Sequence, residues 1–234
     1  MLLAIVDGTG PFLDRTYASD MRHSFCRQMY TNGEDVNGNY ERGPSNDGMT
    51  TRAKGIRAAD FIKEKHRIHP KDKIFLAGYS RGGSAVLYAA AALQSAKIDV
   101  DGMFLFDPVA RHVIPGGETI PANVKAVWVA RRSIAPALVN KYEGTIGLNI
   151  GSHVGIMNNP MRVWFGGTAH KYLGTGPHHE QTFAGSHGAL GGVGWTHVTE
   201  DAPCQMAVAA WMNSAFRTCG LKVTLSSYPP SSKP

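Results

Sequence analysis

Short runs of apolar residues without alternation punctuate this chain, separated by stretches with helical spacing or with none. Leu2 to Val6, Lys73 to Ala77, Met103 to Phe106 and Val124 to Val129 are runs of this kind, and Arg162 to Phe165 is a further one. A strand that alternates keeps one wet face, whereas a strand that is apolar throughout is covered on both. Residues 49 to 66 place Met49, Ala53, Ile56, Phe61 and Ile62 near helical spacing. Residues 81 to 95 carry an alanine run with Val86 and Leu87, which favours helix on propensity. Further on, Val208, Trp211, Met212, Ala215, Phe216 and Cys219 line one helical face, with Asp201 as the expected cap and Pro203 in the first turn. Residues 31 to 48 are polar and turn-rich and predict a long loop, while 166 to 197 are rich in Gly and His and show no clear periodicity. The pattern predicts a single α/β domain over residues 1–234, with a mostly parallel sheet and a tail that frays from about 226.

Composition narrows what such a domain meets. With 234 residues the chain can build one substantial core. A formal charge of +6 favours anionic partners, a transient contact with a lipid surface among them. Yet the basic residues are scattered, no run is longer than Arg131-Arg132, and a nucleic-acid partner is not expected. The opening Met1 to Asp7 lacks the basic start and cleavage site of a signal peptide, and no apolar run reaches the ~20 residues of a membrane span. A soluble chain is expected, cytoplasmic or exported by a signal-independent route. Cys26, Cys204 and Cys219 do not make a disulfide framework. Within one helix Cys204 and Cys219 would stand about 22 Å apart.

Chemistry concentrates where the strand at 73 to 77 ends. Gly78-Tyr79-Ser80-Arg81-Gly82 fits G-x-S-x-G and sits between a strand and a helix, the context this motif requires. Such a bend exposes the serine hydroxyl, and the helix behind it turns its positive end towards that oxygen. A Gly-rich turn that holds phosphate is the other reading of the same residues. A serine hydroxyl needs a base, and the base needs an acid to orient it. In α/β-hydrolases those partners follow in the order Ser, acid, His. Asp107, at the end of the next apolar run, is the candidate acid. His187, among the small residues of FAGSHGALGG, is the candidate base, with His170 in reserve. Backbone N–H groups of Arg81 and of Gly8 and Thr9, in the turn after the first strand, are candidates for an oxyanion hole. That turn has no Lys-Ser/Thr after Gly10, which weakens a nucleotide reading. No metal site is expected: His178-His179 lacks further ligands at suitable spacing and reads as a solvated loop pair. Val109, Ile114, Ile134 and Leu138 are candidates for an acyl pocket or for core.

These stretches resemble a family of largely uncharacterised bacterial and fungal α/β-hydrolases that includes type VI secretion phospholipase effectors. IVDGTG is similar to its first strand and Asp-Gly-Thr, and Tyr40-Glu41-Arg42-Gly43 to a following Tyr-x-x-Gly. His69 to Gly83 is similar to its Ser-Arg-Gly block, Asp107-Pro108-Val109 to its Asp-Thr-Val, and Phe183 to Gly192 to its His block. The chain departs from that pattern at Gly83, where the family has Ala, and at Ala189, where it has Asp; it also lacks the effectors' membrane-associating insertions. The resemblance implies an α/β-hydrolase fold without cofactor, with Ser80 as nucleophile, Asp107 as acid and His187 as base. It implies hydrolysis of a carboxylic ester, with a lipid or phospholipid acyl ester or a small soluble ester as substrate. The second expectation is a binding module that keeps this scaffold without turnover.

Overall fold

The computed structural model describes residues 1–11, 13–44, 49–110, 119–132, 168–193 and 198–228. The predicted strand at 162 to 165 lies outside them, as do Ile114, Ile134 and Leu138. Among the described residues eight strands form: β1 (Leu2–Val6), β2 (Asn37–Glu41), β3 (Ile74–Tyr79), β4 (Gly102–Phe106), β5 (Thr119–Ile120), β6 (Val127–Arg132), β7 (Lys171–Tyr172) and β8 (His178–Phe183). The helices described with them are α1 (Asp14–Asp20), α2 (Phe25–Thr31), α3 (Thr51–Ile68), α4 (Arg81–Ser95), α5 (His187–Gly191) and α6 (Val198–Cys219). The main sheet runs β2-β1-β3-β4-β6-β8 with every neighbouring pair parallel, and β5 and β7 pair separately.

Alternate residues of each central strand feed two separate cores, which is why those strands read as unbroken apolar runs. Leu2, Ala4, Val6, Leu76 and Leu105 pack with Ala58, Ile62 and Val86 of α3 and α4. Leu3, Ile5, Phe75, Phe104 and Trp128 pack on the other side with Tyr17, Phe25, Met29, Leu190, Met212 and Phe216. Phe216 meets Phe104 edge-on at 4.7 Å, a geometry that adds about 1 kcal/mol to the burial itself. This is the α/β-hydrolase fold, with helices on both faces of the sheet.

The elements depart from the sequence pattern in instructive ways. β2 runs through the predicted loop at 31 to 48, and β8 through the stretch without periodicity. Both are edge strands with mostly exposed or half-exposed side chains, so no apolar pattern marks them. His178 and His179 therefore sit on a strand and point to opposite faces: His179 stacks on Trp128 at 5.3 Å, and His178 lies against Tyr172 at 5.6 Å. β6 begins three residues later than predicted, and Val124 makes only an isolated bridge to Val100. In α3 the buried face is Thr51, Lys54, Gly55, Ala58, Ala59 and Ile62, while Met49 is exposed. Small residues face inward there because α4 comes close: a Cβ on Gly55 would stand 2.1 Å from the Ala85 carbonyl oxygen. The three cysteines are unpaired. Among the described residues no helix is long and apolar enough to cross a membrane.

Candidate active site

β3 ends at Tyr79 and α4 starts at Arg81, leaving Ser80 alone on the bend with φ 55° and ψ −127°. A side chain in this region costs about 1–3 kcal/mol, which the surroundings must over-determine. Three backbone bonds do so. The Ser80 N–H donates to the Phe106 carbonyl at 3.0 Å, and the Ser80 carbonyl accepts from Gly83 N–H and Val109 N–H, each at 3.0 Å. Close approach of backbone explains the glycines. A Cβ on Gly82 would stand 2.0 Å from the Val6 carbonyl oxygen, and one on Gly78 2.5 Å from that of Gly82. Gly83 lies against Pro108, whose Cβ would be 2.5 Å from an added methyl. Asp107 follows β4 and is also held at positive φ, 41°, with its N–H donating to the Ala130 carbonyl at 2.7 Å.

His187 opens α5 and reaches both of these residues. Its Nε2 lies 2.8 Å from Ser80 Oγ, and its Nδ1 lies 2.7 Å from Asp107 Oδ2. All three side chains are buried. Tyr79 presses its ring on the imidazole at 4.9 Å and donates its hydroxyl to the His187 carbonyl at 3.0 Å. The loop ahead of His187 is anchored by a residue expected elsewhere. α6 starts at Val198 rather than after Asp201, so Pro203 and Asp201 both sit inside the helix. Asp201 is wholly buried and accepts from Ser186 N–H at 2.7 Å and Ser186 Oγ at 2.8 Å. Ser186 in turn caps α5 by accepting from Ala189 N–H at 3.2 Å. Ala189 is fully buried among apolar residues, where a carboxylate would lose its water without a partner. The reserve residue, His170, is exposed and has Arg131, Glu180 and His178 as its charged neighbours; it makes no contact with Ser80.

Burial pushes the His187 pKa down; the bond and charge of Asp107 raise it in part, and the Arg132 and Arg81 cations lower it again, for a net fall. Burial pushes the Asp107 carboxyl up, but the Arg132 cation and the His187 bond more than offset it and hold the acid well below the usual carboxylate range. An imidazole that stays neutral near pH 7, flanked by an ionised carboxylate, can take a proton from Ser80.

The turn after β1 stands beside the serine. Arg81 Nη1 donates to Thr9 Oγ1 at 3.1 Å, tying the start of α4 to that turn. Gly8 is a correction to the expected oxyanion hole: its N–H donates to Asp7 Oδ1 at 2.7 Å and is not directed at a substrate. The Thr9 and Arg81 amides are the remaining candidates. Asp7 is far more than a turn residue. It is fully buried and also accepts from the Ser24 and Tyr40 hydroxyls, the latter at 2.7 Å. Tyr17 donates its hydroxyl to the Gly8 carbonyl at 2.8 Å and accepts the Gly43 N–H at 2.7 Å. Thus the Tyr40 to Gly43 stretch braces the turn. Tyr17, Ser24, Arg132 and Asp201 carry no sequence signal of these roles; only the Tyr-x-x-Gly stretch pointed here.

Burial raises the Asp7 pKa to about 6 despite the Ser24, Tyr40 and Gly8 bonds that lower it. Its folded pKa therefore lies above its unfolded value, so its stabilising effect is complete below about pH 4 and is lost as pH rises towards about 6. The window is worth about 3 kcal/mol. Asp7→Asn is expected to remove this slope, measured as the difference between wild-type and variant urea midpoints at a series of pH values. Parallel curves for the two proteins would contradict it.

No family model matches the chain, and no curated protein does. Among solved structures it is similar to RedJ, a thioesterase from the prodiginine biosynthetic pathway in Streptomyces coelicolor. The identity is 14% and the TM-score 0.41, over 82% of this chain and 84% of that one. RedJ with a PEG molecule bound in its active site gives 14% and 0.38, over 81% and 87%. Likeness at this level adds nothing to what the sheet already shows of the fold.

Proposed function

We propose that this protein is a serine hydrolase that cleaves carboxylic esters through an acyl-enzyme. One observation carries the reading: a single buried imidazole lies within hydrogen-bond distance of both the Ser80 hydroxyl and the Asp107 carboxylate. His187 Nε2 takes the Ser80 proton as Oγ bonds to the ester carbonyl carbon, and the carbonyl π electrons move onto oxygen. The Arg81 and Thr9 N–H groups supply hydrogen bonds to that oxyanion. Its collapse breaks the bond to the alkoxy group, which leaves with the proton from His187. Water, deprotonated by the same imidazole, then attacks the acyl-serine and frees the acid and Ser80.

Lipid or phospholipid acyl esters are the finer proposal. The +6 charge favours an anionic interface, and the family that the motifs resemble includes phospholipases. A fluorophosphonate probe tests the chemistry directly. Wild type should be labelled at Ser80, as read by mass spectrometry, and Ser80→Ala should stay unlabelled. A folded wild type that takes no label would leave the scaffold as a binding module. Turnover of p-nitrophenyl esters of graded chain length then separates lipid from small esters: activity rising with chain length supports lipid, and activity confined to acetyl supports a small soluble ester.

A further inference from the structure

We infer that Arg132 is a positioning residue of this site: its guanidinium shares with His187 one oxygen of the Asp107 carboxylate, and so fixes that carboxylate and sets the basicity of the imidazole. The inference rests on the hydrolase reading above. Arg132 is the last residue of β6, next to the strand that delivers Asp107. Its Nε lies 2.6 Å from Asp107 Oδ2, the oxygen that His187 Nδ1 approaches to 2.7 Å, and its own N–H donates to Oδ1 at 3.4 Å. The carboxylate is thus gripped on both oxygens by one residue.

The pair is mostly out of water, with side chains 17% exposed for Arg132 and 9% for Asp107. Screening is weak there, and a guanidinium does not lose its proton in a protein. A permanent cation therefore stands behind the acid and draws on the charge that would stabilise imidazolium. A serine hydrolase whose acid is held only by neutral donors keeps all of that charge for the histidine. Here part of it is already compensated, which favours the neutral, proton-accepting imidazole down to lower pH.

Of the other groups facing His187, the Arg81 cation acts in the same direction but holds no oxygen of Asp107, and the rest do not supply this effect. Arg81 reaches it from α4, with Nη1 on Thr9. Tyr79 lies against the ring from β3, and Asp201 on α6 bonds Ser186 rather than the imidazole. Cys204 on α6 lies near both Asp201 and Asp107, and burial pushes its thiol up to about 12, so it stays neutral. Arg131 points to the opposite face, where it pairs with Glu180 at 2.7 Å.

The test is the titration of the His187 ring, followed by NMR of imidazole-labelled protein, beside the pH profile of kcat/KM for an activated ester. In wild type the ring should titrate below the ordinary histidine value. Arg132→Gln should raise that titration, and the acid limb of kcat/KM with it, by about one pH unit. Arg132→Lys keeps the charge and should return the limb most of the way. A merely structural role would lower kcat at every pH and leave the limb in place. A wild-type ring titrating at or above the ordinary value, or a limb unmoved in Arg132→Gln, would overturn the inference. Should the glutamine variant fail to fold, the wild-type titration and the lysine variant decide: a limb displaced upward by about a full unit in the latter also overturns it. Because the ring titration needs no turnover, the inference can fail while fluorophosphonate labelling of Ser80 succeeds, and the reverse.

Discussion

His187→Ala is expected to lower ester turnover by about ten-thousand-fold or more, to the level reached by Ser80→Ala, while His170→Ala should stay within a few-fold of wild type. The size follows from what each group does. A serine hydroxyl is a weak nucleophile at neutral pH, and without a base at 2.8 Å its proton has nowhere to go as the new bond forms. Removing the hydroxyl leaves only the N–H donors and substrate binding, a residue of rate that both variants share. Since the two side chains act as one unit, the double variant should be no slower than either single one. The Asp107→Asn variant belongs in the same series. It keeps the shape but offers His187 the wrong partner, and about the same order of loss is expected. The measurement is initial rate on a p-nitrophenyl ester, with far-UV circular dichroism to establish that each variant is folded. Turnover that survives in His187→Ala and vanishes in His170→Ala would move the base to His170.

The parts of this site that the sequence makes legible are those whose chemistry is local. Ser80 is marked by two glycines that backbone contact requires, and Asp107 by the end of a strand buried on both faces. His187 is marked by small neighbours, which the structure explains in part: a Cβ on Gly185 would stand 2.4 Å from Cys204 Sγ, and one on Gly191 2.3 Å from the Tyr79 ring. What could not be read are pairings across distance. Arg132 binds Asp107 over 25 positions, and in the sequence it is half of an unremarkable dibasic pair. Asp201 has the residue type and place of a helix cap, yet its carboxylate serves a loop 15 positions away. The strands show the same division. β1, β3 and β4 announce themselves because both faces are buried. β2 and β8 depend on backbone pairing at the two sheet edges, which asks nothing apolar of their side chains.

Gly82→Ala should lower the melting temperature by about 10 °C and abolish most turnover in what remains folded. An added Cβ would lie 2.0 Å from the Val6 carbonyl oxygen, 2.4 Å from that of Asp7 and 2.7 Å from the Val6 carbonyl carbon. All three are backbone atoms at the end of β1, so no side chain can rotate away. Nor is that backbone loose. Val6 pairs with Gly78 on one side and Glu41 on the other, and the Asp7 N–H donates to the Glu41 carbonyl at 3.0 Å. The clash is relieved only if α4 backs away from the sheet or the 7–10 turn shifts. Either movement separates Thr9 from Ser80 and breaks the contact between Arg81 and Thr9. Overpacking against fixed atoms costs about 3 kcal/mol, and at roughly 2–4 °C per kcal/mol for a chain of this size the fall is about 10 °C. Gly102→Ala supplies the contrast. Its Cβ would meet only side-chain atoms, of Phe75, Cys219 and Phe104, at 3.2 to 3.4 Å. Those neighbours can yield by a few tenths of an ångström, so the shift should be about 3 °C or less. Calorimetry of both variants with turnover at a fixed temperature separates the outcomes. If Gly82→Ala melts with wild type and stays active, the bend that presents Ser80 relaxes freely, and the strain at that serine is not what holds the hydroxyl against His187.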